Sequence, residues 1–553
     1  MRVSEAIGEV MARERVAHVF GLMGHGNIKV IPHLAGELGI PFVAARHEAN
    51  AMLMADAYAR VTGRVGVCTV TQGPGLTNTL TALVTARKAR TPMIVLAGDS
   101  VRVDGNLQWI DQEPIFAAAG VPVQAIDEPE TLGDALTGAF RRARSERTPI
   151  GVNLPPLGQQ DAECVLGPAV GEADTIAAPL VPPARAIARA VDILERCRRP
   201  VILAGRGAVW ADARAELEAL ADTIGALLAT TLLAKSLFDG NPYSVGIAGG
   251  FASRLTLELL ADADGAVVFG AGLNPFTTEG GELFAPDAPV VHCDVDADAI
   301  GAMLPVAHGL HGDAAVSARL LRQECERRGF HQPGYRGAAV RQRLASWRAE
   351  EEFEDESAEG ALDPRTLTIA LDSVLPRERT LVAAGGHCQG WPCMYLSVPH
   401  PSNFVHPLNF GSVGCGLGAA LGAAVARPDL PTVAVLGDGD LMMGLADLDT
   451  AVRHRLRLIL VVLNDGGFGS EIHSLREWGL RENEARYDNP DFVALARTVG
   501  GDGIVVRSLA DLAEVGQRAA ALDGLLVLDC RITTAVRADW DANLQLRTGA
   551  ASR

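Results

Sequence analysis

Aromatic side chains are scarce: they make up 5% of the 553 residues, which argues against a core built on stacked rings. Cations are outnumbered, 49 Lys and Arg against 67 Asp and Glu, giving a net charge of −18. Binding a nucleic-acid backbone needs clustered Lys and Arg, so a nucleic-acid partner is not expected. One local basic pocket for a small anion remains compatible with an acidic surface. Long apolar runs are missing as well. The most extended small or apolar stretch, Gly414 to Ala426, falls short of the roughly 20 residues a spanning helix needs. The start, Met1-Arg2-Val3-Ser4-Glu5-Ala6-Ile7, reads as a charged amphipathic helix without the apolar core and small-residue cleavage site of a secretory signal. The nine cysteines are scattered and form no CxxC pair. An odd, scattered set suits buried thiols in a reducing compartment and offers no zinc site. The expectation is a cytoplasmic protein without membrane or nucleic-acid partners.

What the chain has in quantity is glycine, 59 residues, within a globular balance of 48% hydrophobic and 21% charged. Its length predicts about three to five domains. Helical periodicity alternates with short β-branched runs, the pattern of an α/β protein. Strands are predicted at Val16–Phe20, Val65–Thr71, Met93–Ala97, Val201–Ala204, Ala266–Phe269, Val290–Val295, Thr432–Leu436 and Leu458–Leu463. Two stretches break the rhythm: Pro-rich Val170–Arg185 and acid-dense Ala349–Asp363. Both read as exposed linkers. The domains expected between them are 1–170, 185–340 and 360–540.

The strongest local signal lies in the third segment. The strand Thr432–Leu436 runs into Gly437-Asp438-Gly439-Asp440, and a helix with Leu441, Leu445, Leu448 and Val452 on one face follows. The next strand, Leu458–Leu463, ends in Asn464-Asp465-Gly466-Gly467-Phe468-Gly469. Asp438 and Asp465 therefore stand at the carboxyl ends of two strands, the edge where open parallel sheets bind ligands. Two carboxylates flanked by glycines with bare backbone N–H groups suit Mg²⁺ holding a diphosphate, since Mg²⁺ takes few carboxylates and accepts phosphate oxygens.

This pattern resembles the thiamin diphosphate (ThDP) enzymes, and the first segment agrees. Arg46-His47-Glu48-Ala49, then Tyr58-Ala59-Arg60-Val61-Thr62-Gly63, then Gly73-Pro74-Gly75-Leu76-Thr77-Asn78 look like the RHE…YAR.TG…GPG.TN run of acetolactate synthases and their relatives. The superfamily also includes pyruvate and benzoylformate decarboxylases. The resemblance implies three doubly wound parallel-sheet domains: pyrimidine-binding, central and diphosphate-binding. It implies that Glu48 is the glutamate bonded to N1′ of the aminopyrimidine, favouring the imino tautomer whose N4′ takes the proton from C2. Val413, in Gly411-Ser412-Val413-Gly414, matches the apolar wedge that bends the cofactor. Gly385-Gly386-His387 matches the diphosphate-contacting G-Q-H segment. Gly437, Asp438 and Gly439, with Asp465, Gly467, Phe468 and Gly469, match the diphosphate and metal loops. The implied metal ligands are Asp438, Asp465 and the Gly467 carbonyl. Because Glu48 and GDG come from different chains in the family, a homodimer is the implied minimum and a homotetramer the expected assembly.

Departures from the pattern concern the substrate. Many relatives carry Asn where this chain has Asp465, which makes the metal shell more negative and a nearby donor such as His387 welcome. FAD-binding synthases carry an Arg-Phe-Asp-Asp-Arg type segment; here Gly270-Ala271-Gly272-Leu273-Asn274-Pro275-Phe276-Thr277 stands instead, which counts against FAD. Gly205-Arg206-Gly207 and Gly270-Ala271-Gly272 are incomplete dinucleotide fingerprints and read first as tight strand–helix turns. His25 stands where synthases have glycine and simple 2-oxo-acid decarboxylases have Asp. Gln112 resembles the synthases' active-site glutamine. Glu471 matches the glutamate that decarboxylases place over C2, and Ser474 replaces the tryptophan with which synthases choose a larger acceptor. The expected activity is a ThDP- and Mg²⁺-dependent decarboxylation or carboligation of a 2-oxo acid or related dicarbonyl. Alternatives are an acetolactate synthase proper, a flavin-linked 2-oxo-acid oxidase, an inactive cofactor-binding partner subunit, and a nicotinamide-dependent dehydrogenase if the GDG assignment fails.

Overall fold

The computed structural model describes residues 1–103, 105–126, 128–167 and 178–540. Its strands are short, and the inner ones are apolar and buried along nearly their whole length, as expected where helices cover both faces of a parallel sheet. They form three six-stranded sheets in which every neighbouring pair is parallel.

The first sheet contains β1 (Val19–Gly21), β2 (Phe42–Ala44), β3 (Gly66–Val70), β4 (Met93–Gly98), β5 (Val123–Gln124) and β6 (Pro149–Leu154), in the order 2-1-3-4-6-5. The second contains β7 (Pro200–Ala204), β8 (Leu227–Thr230), β9 (Ser244–Ile247), β10 (Gly265–Phe269), β11 (Val290–Asp294) and β12 (His308–His311), in the order 12-11-10-7-8-9. The third contains β13 (Thr380–Ala383), β14 (Phe404–Val405), β15 (Thr432–Gly437), β16 (Leu458–Asn464), β17 (Asp502–Val506) and β18 (Leu525–Arg531). Its order, 14-13-15-16-18-17, repeats that of the first sheet. The central sheet has the strand order of doubly wound dinucleotide-binding sheets. In each sheet the winding reverses beside its first strand, which makes a crevice at the carboxyl edge. The α/β class with three doubly wound parallel sheets is as the sequence predicted.

The helices that matter for the site are α1 (Val3–Arg13), α2 (Glu48–Thr62), α3 (Arg206–Trp210), α4 (Gly416–Ala426), α5 (Asp438–Gly444), α6 (Leu448–Arg453) and α7 (Gly469–Glu477). The first and third units share one apolar core, because α4 lies directly on α2. Glycines allow that approach: a Cβ on Gly422 would stand 2.1 Å from the Met54 carbonyl oxygen.

Several expected elements differ in extent. The first strand is Val19–Gly21 rather than Val16–Phe20, because the Val16 N–H closes the turn after α1 on Met11 (3.0 Å). The helix expected through Leu441, Leu445, Leu448 and Val452 is two helices, α5 and α6, separated by a turn at Leu445–Asp447. In that turn the Asp447 carboxylate accepts bonds from the Arg46 N–H (2.8 Å) and Asn50 Nδ2 (2.7 Å) of the first unit, a long-range contact that local periodicity does not register. Residues 170–177 of the Pro-rich stretch lie outside the described residues. The acidic stretch is mostly exposed but ends on fully buried Asp363, whose side chain accepts the Arg365 N–H as a helix N-cap (2.8 Å).

Candidate active site

The crevice of the third sheet opens between β13 and β15, and the glycine-rich turns gather there. β13 leads into Gly385 and Gly386, both with positive φ (83° and 41°), a backbone glycine supplies without strain. A Cβ on Gly385 would meet the Gly437 nitrogen at 3.0 Å. The two turns therefore approach as closely as backbones can.

Asp438 is 2% exposed. Its Oδ1 accepts from the Gly439 N–H (2.7 Å) and the Tyr487 hydroxyl (3.2 Å). Its Oδ2 accepts from the Gly466 N–H (2.9 Å) and Asn489 Nδ2 (2.6 Å). Burial nonetheless pushes its carboxyl above the ordinary value, the hydrogen bonds only partly offsetting it. Asp465 is pushed up to about 7, first by burial and then by the Asp438 charge. The Asp438 charge thus disfavours a second negative charge on Asp465, and a cation between the two would favour both carboxylates. Among the described residues no three His, Cys, Asp or Glu side chains gather as a metal cage. A cation here would take two carboxylates and complete its shell with carbonyl, water or phosphate oxygens, as Mg²⁺ does.

His387 faces the same crevice. Its Nε2 accepts the Ala538 N–H (3.0 Å), and its ring lies tilted against His473 (centroids 4.6 Å apart, planes at 31°) and meets Trp391 edge-on. Burial pushes it down to about 3, aided by the neighbouring His473 and Arg537, so the ring is neutral. Val413 sits in a loop pinned by Asp440, which accepts from the N–H groups of Gly414 (3.0 Å) and Gly416 (2.9 Å). Asp440, raised to about 6 by burial, was visible in sequence only as the fourth letter of GDGD. Tyr487 and Asn489 carried no local signal. They reach Asp438 because the Gly466–Phe468 loop bonds the Ala485–Tyr487 segment (Phe468 N–H to Ala485 O, 2.9 Å; Tyr487 N–H to Gly466 O, 3.0 Å).

Gly385, His387, Val413, Gly437, Asp438, Gly439, Asp465, Gly467, Phe468, Gly469 and Glu471 all line one cavity of about 1200 Å³. His25, Glu48 and Gln112 do not line it. They stand at the carboxyl edge of the first sheet. Glu48 opens α2, is 9% exposed and accepts from Asn78 Nδ2 (3.0 Å). His25 is exposed in the turn after β1, whose Gly26 N–H donates to Thr71 Oγ1 (3.2 Å). The Gln112 amide is buried: Nε2 donates to Gly98 O (2.9 Å) and Asn153 Oδ1 (3.1 Å), while Oε1 accepts the Gly73 N–H (3.3 Å). Gln112 thus ties the Gly73-Pro74-Gly75 turn to the ends of β4 and β6.

Comparison with known proteins accounts for this division. The thiamine pyrophosphate enzyme N-terminal TPP binding domain matches residues 1–117, the central domain 187–321 and the C-terminal TPP binding domain 384–530. The acetolactate synthase large subunit of Parasynechococcus marenigrum is 30% identical, over 91% of this chain and 82% of its own. The chain belongs to the thiamine pyrophosphate enzymes. Similar relatives also include the sulfoacetaldehyde acetyltransferase of Castellaniella defragrans (29% identical; 93% of this chain, 89% of the relative). The acetolactate synthase large subunit of Corynebacterium glutamicum is 28% identical, over 94% of this chain and 86% of its own. The family's cofactor, thiamin diphosphate, suits the third-sheet crevice, where paired carboxylates and glycine turns meet.

The cavity continues from that crevice to the carboxyl edge of the central sheet. There the turns after β7 and β10 interlock, with the Gly207 N–H on Gly270 O (2.9 Å). Lys88, Arg90 and Arg147 from the first unit and Arg206 from the second line this end together with Glu146, Asp294, Asp296 and Asp313, and Arg90 pairs with Asp296 (2.6 Å). Arg147 and Arg206 both stack on Trp210, at 3.9 and 4.4 Å from its ring. Burial first, then the charge of Arg60, push Arg206 down to about 9. No helix among the described residues is long and apolar enough to cross a membrane.

Proposed function

We propose that this thiamine pyrophosphate enzyme makes or breaks the C–C bond beside the carbonyl of a 2-oxo acid or related dicarbonyl, by decarboxylation, carboligation or both. The observation that carries the proposal is the cavity itself, in which Asp438 and an Asp465 raised by burial and by the Asp438 charge face glycine turns, beside a neutral His387 and an apolar Val413. When bound, thiamin diphosphate supplies the electron sink that such a bond cleavage needs. Asp438, Asp465 and the Gly467 carbonyl would hold Mg²⁺ against the diphosphate, and Val413 would hold the cofactor bent. Glu48 would bond N1′ of the aminopyrimidine, with Asn78 holding its side chain in place. Gln112 holds the Gly73 turn in place. His25 and Glu471, both exposed, are the acid–base groups assigned to the substrate. Since Glu48, His25 and Gln112 do not line the cavity of their own chain, the proposal completes each site with a second copy, making a dimer the smallest active unit.

Incubating the protein with ThDP, Mg²⁺ and a panel of 2-oxo acids, with and without aldehyde acceptors, and resolving products by mass spectrometry tests this directly. Cofactor-dependent release of CO₂, an aldehyde or an acyloin from at least one acid is expected; no turnover across the panel counts against it. His25→Ala and Glu471→Gln should each lower kcat by about 10²–10⁴-fold on the authentic substrate with ThDP affinity unchanged.

One observation favours a second reading. The Trp210-centred end of the cavity, where Arg147 and Arg206 stack on the ring, lies at the switch point of a sheet ordered like dinucleotide-binding sheets. A nucleotide cofactor there, flavin included, would make the enzyme an oxidase or a nucleotide-dependent relative. Absorbance near the flavin bands and chromatography of nucleotides released by heat from the purified protein separate the two readings.

A further inference from the structure

The segment after the last strand does more than close the fold. Beyond β18 the chain crosses the end of α7, where Arg476 Nη1 donates to Thr534 O (2.9 Å) and Arg537 Nη2 to Glu477 Oε2 (2.8 Å). It then buries Val536, Ala538 and Trp540, each 5% exposed or less. Trp540 meets Trp391 and Phe251 edge-on, both at 5.4 Å between ring centroids. It lies so close over Gly390 that a Cβ there would come within 2.5 Å of its ring. Between these anchors the Ala538 N–H points at Nε2 of His387 (3.0 Å).

A ring nitrogen that accepts an N–H carries no proton, so the single proton of a neutral imidazole must sit on the other nitrogen. That other nitrogen, Nδ1, faces the start of α7. A Cβ built on Gly469 would stand 3.2 Å from Nδ1 and 2.6 Å from Asp465 Oδ2. The turn at Asp465–Gly469 is therefore open because position 469 has no side chain, and the Cβ–Nδ1 edge of the His387 ring borders that opening. We infer that the C-terminal segment Thr533–Trp540 is a positioning strap for the cofactor: its Ala538 N–H fixes His387 as the Nδ1–H tautomer and aims that donor at the Asp465–Gly469 turn, where a diphosphate oxygen would accept it. The inference deepens the proposed function and rests on its placement of the diphosphate.

The test reads tautomer and affinity separately. In ¹⁵N-histidine-labelled protein without cofactor, His387 (identified by the signals missing in His387→Asn) should show an unprotonated Nε2 and a protonated Nδ1. Ala538→Pro, which deletes the donor, should mix the two tautomers and weaken ThDP binding by about tenfold, the scale of one hydrogen bond to a charged group. Trp540→Ala, which loosens the anchor, should act in the same direction. Should either variant fail to fold by near-UV circular dichroism, two substitutions at His387 itself decide. An Asn amide reaches as far as Nδ1 and a Gln amide as far as Nε2, so His387→Asn should bind ThDP within a few-fold of wild type and His387→Gln should lose about tenfold. A protonated Nε2 in the wild type, Gln outperforming Asn, or a folded Ala538→Pro with unchanged tautomer and affinity would each overturn the strap. Failure of wild type to bind ThDP at all would instead overturn the functional proposal, because the tautomer is read on the apo protein.

Discussion

Glu48 and Asp438 both sit at helix starts, yet their surroundings prepare them for different work. Asp438 is held by four donors, which fix the carboxylate rigidly at the sheet edge. Asp438→Ala should therefore lose Mg²⁺ and ThDP binding together in calorimetry, while Asp465→Asn, an amide that relatives carry, should be milder. Glu48 has one neutral donor, Asn78, and Glu48→Gln should leave ThDP bound but slow deuterium exchange at its C2 by about 10²–10⁴-fold, as loss of a proton-handling group does. His406 tests burial rather than chemistry. Its Nδ1 donates to Ala383 O (2.9 Å), and burial pushes it from an ordinary 6.5 down to about 4. Below pH 6.5 the unfolded chain takes up a proton that the folded one refuses. The stability from a neutral His406 is thus intact above pH 6.5 and is lost as pH falls towards 4, by at most about 1.4 kcal/mol per pH unit. His406→Gln should flatten the fall in Tm between pH 7 and 5 relative to wild type; parallel profiles would refute the burial argument.

At the scale of elements, the contact between α2 and α4 fixes how the first and third units meet. Its close approach depends on Gly418 and Gly422, where added methyls would stand 2.9 Å from Asn50 Oδ1 and 2.1 Å from Met54 O. A backbone carbonyl cannot move aside as a flexible side-chain end can. Gly422→Ala should cost about 1–3 kcal/mol in urea unfolding through overpacking, although alanine is the better helix former. Gly36→Ala, where nothing lies within 4 Å of the new methyl, should stay within about 0.5 kcal/mol of wild type. The run Gly414 to Ala426 read in sequence only as too short to span a membrane. Its glycines serve a helix–helix seam, which composition does not distinguish from a flexible stretch.

For the whole molecule, the decisive question is whether one chain can complete a site. Glu48→Gln and Asp438→Ala each remove one half. If the halves come from different chains, mixing the two inactive variants and letting subunits exchange should restore activity. Random pairing makes half the dimers mixed, each with one intact site, so the plateau is about a quarter of wild type. No recovery after demonstrated exchange would place both halves in one chain.

The residues around the third-sheet crevice were legible because each is dictated locally. A strand that ends in Gly437-Asp438-Gly439 or Asp465-Gly466-Gly467 must put its carboxylate at the sheet's carboxyl edge, and β-branched runs between amphipathic helices can bury themselves only as parallel sheets. What lay beyond reach was every contact between distant segments. Asp447 breaks the α5–α6 helix because Arg46 and Asn50 reach it from some four hundred residues away. Tyr487 and Asn489 hold Asp438 through a loop contact, and Ala538 sets the proton of His387 through a backbone N–H that any residue but proline carries. Sequence alone thus determined the α/β class and the carboxylates and glycines at the strand ends, since strand ends and turn residues obey local sterics, while the three-sheet plan followed from the resemblance to a known family. Only the tertiary structure decided which groups support those carboxylates, that Gln112 ties the Gly73 turn to the ends of β4 and β6, and that the cavity runs on to the carboxyl edge of the central sheet, because those facts depend on where distant backbones come to rest.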